Sequence, residues 1–174
     1  GLGHVRFTVG KLNDIIPTFP YPYVLKPLKG ASKKGVNFVS GIKSCITVPD
    51  DLKDGLFMAE EYISGQEYSI ESISFNDRHD IIQITEKVTT GAPHFVELEH
   101  HQPAHLSPSI EKKIRNIIPP ILSSVNFSNG ASHIEIKVND QGDVYLIEVN
   151  PRGGGDYISN DLVSLSTDYD YLKQ

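Results

Sequence analysis

The stretch YLIEVNPRGGGD, residues 145–156, brings an acid, an amide and an arginine to the end of an apolar run and follows them with three glycines. Residues two apart on a strand share a face, so Glu148 and Asn150 point the same way, with Arg152 just beyond them. Upstream, SHIEIKV alternates likewise, with His133, Glu135 and Lys137 on one face and Ile134, Ile136 and Val138 on the other. The turn text NDQGD between the two runs makes them a hairpin. With a loop over residues 140–143, the ladder sets Glu135 directly across from Glu148. It also groups Leu146 with Glu148 and Asn150, opposite Tyr145, Ile147 and Val149. Facing carboxylates repel, and burial sharpens the cost unless one is protonated or a positive charge lies between them. Magnesium answers that need: it binds oxygen ligands, commonly one or two carboxylates plus substrate phosphates, and the Asn150 amide oxygen suits it as a further ligand. A solvated hairpin face also carries acids, but Arg152 beside this one can grip phosphoryl or carboxylate oxygens in a bidentate fork.

The elements that must position these groups are legible as a series. Tyr23-Val24-Leu25 is a short β-prone run ending in Lys26-Pro27, and a polar loop, KGASKKG, leads to a second strand from Val36 to Val39. The loop lacks the Gly-Lys-Ser/Thr ending of the common phosphate-binding signature, since Gly35 is followed by Val36-Asn37. Backbone N–H groups at Gly30, Ala31, Ser32 and Gly35 can still cradle phosphates, with Lys26 reaching them from the strand. Leu56 to Tyr62 reads as a strand ending in Glu60 and Glu61, and Ser64-Gly65 breaks it. Tyr68 to Phe75 and Ile81 to Lys87 form a hairpin across Asn76-Asp77. Residues 89–104 read as an active-site loop or an irregular strand. Ser107-Pro108 starts a helix whose apolar positions run to Val125 at helical spacing, and Pro119-Pro120 should kink it or split it in two. Ile158, Leu162, Val163 and Leu165 suggest a short closing helix.

Composition narrows the function. A chain of 174 residues, 39% hydrophobic and 22% charged, has the make-up of a globular protein of one ordinary domain or two small lobes. The formal net charge of -6 offers no basic footprint for nucleic acid. A single cysteine, Cys45, makes neither an internal disulfide nor a thiolate metal cluster, which fits a reducing compartment. No run approaches the roughly 20 apolar residues of a membrane span, so the expectation is a cytoplasmic protein.

Four texts taken in order, VLKPLKGASKKGV, FMAEEYISGQEYSIE, HIEIKV and YLIEVNPRGGG, resemble the ATP-grasp enzymes. The similarity is strongest to the branch of carbamoyl phosphate synthetase, biotin carboxylase and the L-amino acid ligases. With EKVTTGAPHFVELEHHQPA added, it points to the amino acid ligases within that branch. The resemblance implies an α+β fold of two small lobes with mainly antiparallel sheets. Residues 1–63 would be a partial small lobe with the phosphate loop and hinge, and 64–174 the large lobe with the metal hairpin. It implies ATP and Mg2+, or Mn2+ in its place, as cofactors. Lys26 would contact the ATP phosphates and take part in catalysis, under the loop from Gly30 to Gly35. Glu60, Glu61, Tyr62 and Ile63 would form the hinge, with the backbone of Glu61 and Ile63 reading the adenine edge and Glu67 on the ribose. Glu135, Glu148 and Asn150 correspond to the metal ligands and Arg152 to the catalytic arginine. One of His100 and His101 matches a phosphate-side histidine, His100 being the one chosen, while His94, His105 and His133 read as structural or surface residues.

The implied activity is carboxylate–amine ligation through an acyl phosphate, by an enzyme taking ATP, a small carboxylate and an amine, with no nucleic acid or membrane partner and with a homodimer allowed. Bicarbonate phosphorylation and non-catalytic ATP binding are the alternatives. Backbone N–H groups of Gly153 to Gly155 could meet an oxyanion or a substrate carboxylate. The family's other basic residue, about 40 positions before Lys26, has no place in this chain. The expectation is therefore a fragment of a longer enzyme, truncated at both ends and inactive alone.

Overall fold

The computed structural model describes residues 1–30, 33–171 and 173. Its strands are β1 (Leu2–Gly3), β2 (Phe7–Lys11), β3 (Tyr23–Pro27), β4 (Asn37–Val39), β5 (Leu56–Glu61), β6 (Gln66–Phe75), β7 (Arg78–Thr89), β8 (Glu97–His101), β9 (Gly130–Val138) and β10 (Val144–Asn150). The helices are α1 (Pro108–Ser124) and α2 (Val163–Thr167). Two compact units emerge, one of residues 4–63 and 90–96, the other of residues 1–3, 64–89 and 97–174.

The first unit is a four-stranded sheet in the order β2-β5-β3-β4, antiparallel throughout. Alternation in LFMAEE turns Phe57 and Ala59 inward, where they pack with Phe19, Leu25 and Val39. Residues 90–96 belong here because Phe95 packs edge-on against Phe38 and near Tyr62. Strand β2, in a stretch without a strong sequence signal, pairs with β5 from Phe7↔Glu60 to Lys11↔Leu56.

The second unit is a six-stranded sheet in the order β1-β10-β9-β6-β7-β8, in which only the short β1–β10 pairing is parallel. On one face Tyr68, Ile70, Ile84, Ile134, Ile136 and Val144 pack with Ile114, Ile118 and Leu122 of α1. The Ser107 side chain caps α1 by accepting the Ile110 N–H, and Pro108 follows in the first turn, where a missing N–H costs nothing. Pro119-Pro120 do not split α1, which runs unbroken to Ser124. Ile114, Ile118 and Leu122, all fully buried, fasten it on both sides of the prolines. After Asp156 and Tyr157, both at positive φ, the chain makes one wide π turn, Ile158–Leu162, and enters α2. Ile158 and Val163 are buried there, whereas Leu165 is exposed.

Candidate active site

The other face of the six-stranded sheet is polar, and much of it is buried. Glu67, Ser69 and Glu71 of β6 alternate with the core residues Tyr68 and Ile70. Register brings Lys87 and Lys137 across from Glu67, and Gln83 and His133 across from Glu71. Lys87, its side chain 1% exposed, lies 3.1 Å from Glu67, 3.1 Å from Glu135 and 3.3 Å from Glu97. His133 bridges two carboxylates, Nδ1 with Glu71 and Nε2 with Glu135 at 3.3 Å. Glu71 is fully buried, and its Oε2 accepts the Gly154 N–H at 3.0 Å and the Ser159 hydroxyl at 3.4 Å.

These contacts set the charge states. Burial pulls Lys87 toward the neutral amine, but Glu135, Glu67 and Glu97 outweigh it and hold its pKa above the ordinary lysine value. Burial also disfavours the His133 imidazolium, yet hydrogen bonds to Glu135 and Glu71 push its pKa up to about 9. Glu135 is raised by burial and lowered further by His133 and Lys87, ending at about 2. It is a carboxylate between two cations.

The hairpin delivers the expected pair by a different route. The ladder opens at Val144↔Val138 with a five-residue turn, whose Asn139 side chain accepts the N–H groups of Gln141 and Asp143. A bulge at Ile147 then shifts the register, so that Glu148 faces Glu135, Val149 faces Ile134 and Asn150 faces His133. The bulge also corrects the face assignment: Leu146 and Val149 pack on the hydrophobic core, and Tyr145 rather than Leu146 shares the side of Glu148. The positive charge required between facing acids is supplied in part by Lys87 and His133, both of which sequence reading left out of the site.

The residues present fit a hard divalent cation. Glu148 is exposed and has no hydrogen-bond or ion-pair partner among the described residues, and Glu135 lies opposite it. Asn150, two residues along the same face, adds an amide oxygen to the set, and its Nδ2, a donor that no cation can satisfy, is buried without a hydrogen-bond partner among the described residues. Two carboxylates and an amide offer an all-oxygen set. A second group, Glu97, His100 and Asp156, brings donor atoms within 4.8 Å of one another, but its imidazole suits magnesium less well.

Around this centre, Arg152 is exposed and donates from Nη1 to the Gly153 carbonyl at 2.9 Å. His100 stands across from Lys87 and within 3.3 Å of Glu97, whereas His101 stands across from Glu86, on the opposite face. Of the three glycines, Gly153 and Gly154 are required by space, not by φ. A Cβ on Gly153 would come within 2.5 Å of Ser159 Oγ, and one on Gly154 within 2.7 Å of Glu71 Oε1. The Gly154 N–H, expected to meet an anion, is donated to Glu71 instead. At Gly155 a Cβ would meet nothing within 4 Å.

In the four-stranded unit, Lys26 of β3 lies 3.1 Å from Glu60. Gly30 opens the loop, Gly35 takes a φ of 78°, and Ala31 and Ser32 lie outside the described residues. Glu61 receives a two-pronged hydrogen bond from Arg6, at 2.9 and 2.6 Å, and its backbone N–H is spent on the Arg6 carbonyl. Tyr62 stacks edge-on with Phe38, and Ile63 ends the unit.

Glu71, Lys87, Glu97 and His133 were missed as site residues. The signal for three of them was present: Glu71 follows Glu67 at strand spacing, His133 precedes Glu135 at the same spacing, and Lys87 closes a strand predicted beside them.

Comparison with known proteins agrees with this architecture. The model of the ATP-grasp domain family matches residues 19–161, and the chain belongs to that family. Among curated relatives, a D-alanine–D-alanine ligase of Petrotoga mobilis is 28% identical over 149 residues, covering 80% of this chain and 49% of the relative. Among solved structures, the L-amino acid ligase of Bacillus licheniformis superposes with a TM-score of 0.81 at 27% identity, covering 98% of this chain and 41% of that one. A biotin carboxylase complex from Campylobacter jejuni shares the fold, with a TM-score of 0.72 at 18% identity over 89% of this chain and 36% of that one. The chain thus spans half or less of the length of these relatives. No described helix is long and apolar enough to cross a membrane.

Proposed function

We propose that the chain is the nucleotide- and metal-handling part of an ATP-dependent carboxylate–amine ligase. The observation that carries this reading is the facing pair Glu135 and Glu148, with Asn150 two residues along the same face, in a chain of the ATP-grasp family. Support for an amide-forming rather than a carboxylating reaction comes from the similarity to a D-alanine–D-alanine ligase and an L-amino acid ligase, both above a quarter identity.

In this reading Glu135, Glu148 and Asn150 would hold magnesium, which would supply neutralisation of phosphate charge. Lys87 and His133 keep Glu135 ionised and aimed, so that its second oxygen stays available. The six-stranded unit carries Arg152, whose exposed guanidinium fits phosphoryl or acyl-phosphate oxygens, and His100 on the phosphate side. To the four-stranded unit fall Lys26 and the loop from Gly30 to Gly35 for phosphates, and the stretch from Glu60 to Ile63 for the base. A substrate carboxylate oxygen attacks the γ-phosphorus as the bond to the ADP oxygen breaks. The amine then attacks the acyl carbon, loses a proton and expels inorganic phosphate. Gly155, where the backbone is open, is the place for the substrate anion.

The test is Glu148→Gln in the complete protein, with phosphate release measured against a panel of amino acids and against bicarbonate. The expected result is amino-acid-dependent release that falls by about a hundredfold or more in the variant, as for loss of an electrostatic group acting on the transition state. Release unchanged in the variant would remove the metal assignment, and release stimulated by bicarbonate alone would replace the ligase reading.

A further inference from the structure

Glu71 is the most deeply buried carboxylate on the polar face, four residues along β6 from Glu67 and the last residue of the text FMAEEYISGQEYSIE. An isolated buried carboxylate is costly, and a hydrophobic residue of similar volume would serve packing better. Its two carboxylate oxygens reach different places, with the buried Tyr171 also beside them. One oxygen meets His133 Nδ1, and the other accepts the Gly154 N–H and the Ser159 hydroxyl. The segment it holds, residues 151–155, lies outside any strand or helix and directly follows Asn150. Apart from Glu71, that segment is tied by the Arg152 side chain on the Gly153 carbonyl and by the Ile158 N–H on the Gly155 carbonyl. Gly154 fits so tightly that a Cβ would come within 2.7 Å of Glu71 and 2.8 Å of His133. The same imidazole contacts Glu135 through Nε2, so one ring touches both the carboxylate assigned to the metal and the carboxylate that grips the glycines.

We infer that Glu71, locked by His133, is a positioning residue that fixes the backbone of Gly153–Gly155 so that Gly155 presents an open main chain to the substrate carboxylate. The inference rests on the ligase reading, and it assigns to Glu71 no contact with substrate. The tight glycines and the open one divide the work: Gly154 is pinned from beneath, and Gly155 is left bare above it.

The experiment uses Glu71→Ala and Glu71→Gln in the complete protein with three measurements: Mg-ATP affinity by calorimetry, kcat and KM for the carboxylate substrate, and amide hydrogen exchange across residues 151–158. A hydrogen bond to a charged acceptor is worth enough that Glu71→Ala should speed exchange of the glycine amides by about tenfold or more and raise the carboxylate KM by a similar factor. Mg-ATP affinity should fall by clearly less than the carboxylate KM rises, because Glu71 reaches the metal carboxylate Glu135 only through His133. Glu71→Gln keeps one acceptor oxygen for Gly154 and should recover part of both effects. If the alanine variant does not fold, the glutamine variant, the same size as the native side chain, carries the comparison. Unchanged exchange overturns the inference, as does faster exchange with an unchanged KM, or an equal loss of ATP affinity, which marks a general structural role. Absence of carboxylate-dependent phosphate release in the unmodified protein would instead defeat the ligase reading, and the exchange measurement alone would then uphold or overturn the grip of Glu71 on the glycines.

Discussion

The two faces of the six-stranded sheet bury their innermost side chains by opposite means. Beneath α1, Ile70, Ile134 and Ile136 are closed off by other hydrocarbon, and each contact stabilises without needing a particular partner. On the reverse, Lys87 is closed off among Glu67, Glu97 and Glu135, and Glu71 against His133, so that each depends on a specific neighbour to offset its lost hydration. The apolar face tolerates rearrangement, whereas the charged face fails when one member is removed. A sheet that spends burial on charge in this way has a use for the charge.

That contrast can be broken most severely at Lys87. Lys87→Met should destabilise the protein by about 3–5 kcal/mol in denaturant unfolding, because three acids lose their shared cation. Lowering the pH should return part of that loss by protonating an acid. On the apolar face Ile118→Ala should cost about 2–5 kcal/mol through the cavity it leaves, with no comparable recovery at low pH. If both variants respond alike to acid, the distinction between the faces is wrong.

The smallest effect is the pH profile of the unmodified protein. The His133 pKa rises from its ordinary 6.5 to about 9, so its contribution is complete below 6.5 and is lost as pH climbs through 9. The Glu135 pKa falls from 4.5 to about 2, so its contribution is complete above 4.5 and is lost as pH drops through 2. Stability from this pair should therefore be greatest between pH 4.5 and 6.5. Because the two groups share a hydrogen bond, the alkaline limb should amount to about 2 kcal/mol rather than the full sum. Unfolding midpoints measured across pH should show that limb, and His133→Asn should flatten it.

Much of this arrangement was legible beforehand, for identifiable reasons. The alternation in SHIEIKV and VYLIEVN, with turn residues between, gave the hairpin and the facing acids, because period-two patterning is enforced wherever one face is buried. The capped start of α1 was equally plain in Ser107-Pro108. What escaped were features that depend on partners distant in the chain. Lys87 is an unremarkable lysine until β6, β8 and β9 place three acids around it. His133 looks like a surface histidine until Glu71, 62 residues away, meets its ring. Strand β2 carries no clean signal because its pairing with β5 leaves Phe7 and Val9 exposed. The split that Pro119-Pro120 allowed does not occur because buried Ile114, Ile118 and Leu122 hold α1 to the sheet on both sides of them, packing that propensity does not register.

The bulge at Ile147 bears on how this chain is lined up with its relatives. Ile147 is surplus to the ladder: Leu146 already faces Ile136 and Glu148 already faces Glu135, so a strand lacking it would make every one of the same pairs. A homologue one residue shorter here is structurally equivalent, and the gap in an alignment belongs at 147 rather than in the 139–143 turn, where gaps are customarily placed. Misplacing it would shift Tyr145 and Leu146 onto the wrong partners while leaving Glu148 and Asn150 correctly matched, an error invisible to anyone who checks only the motif.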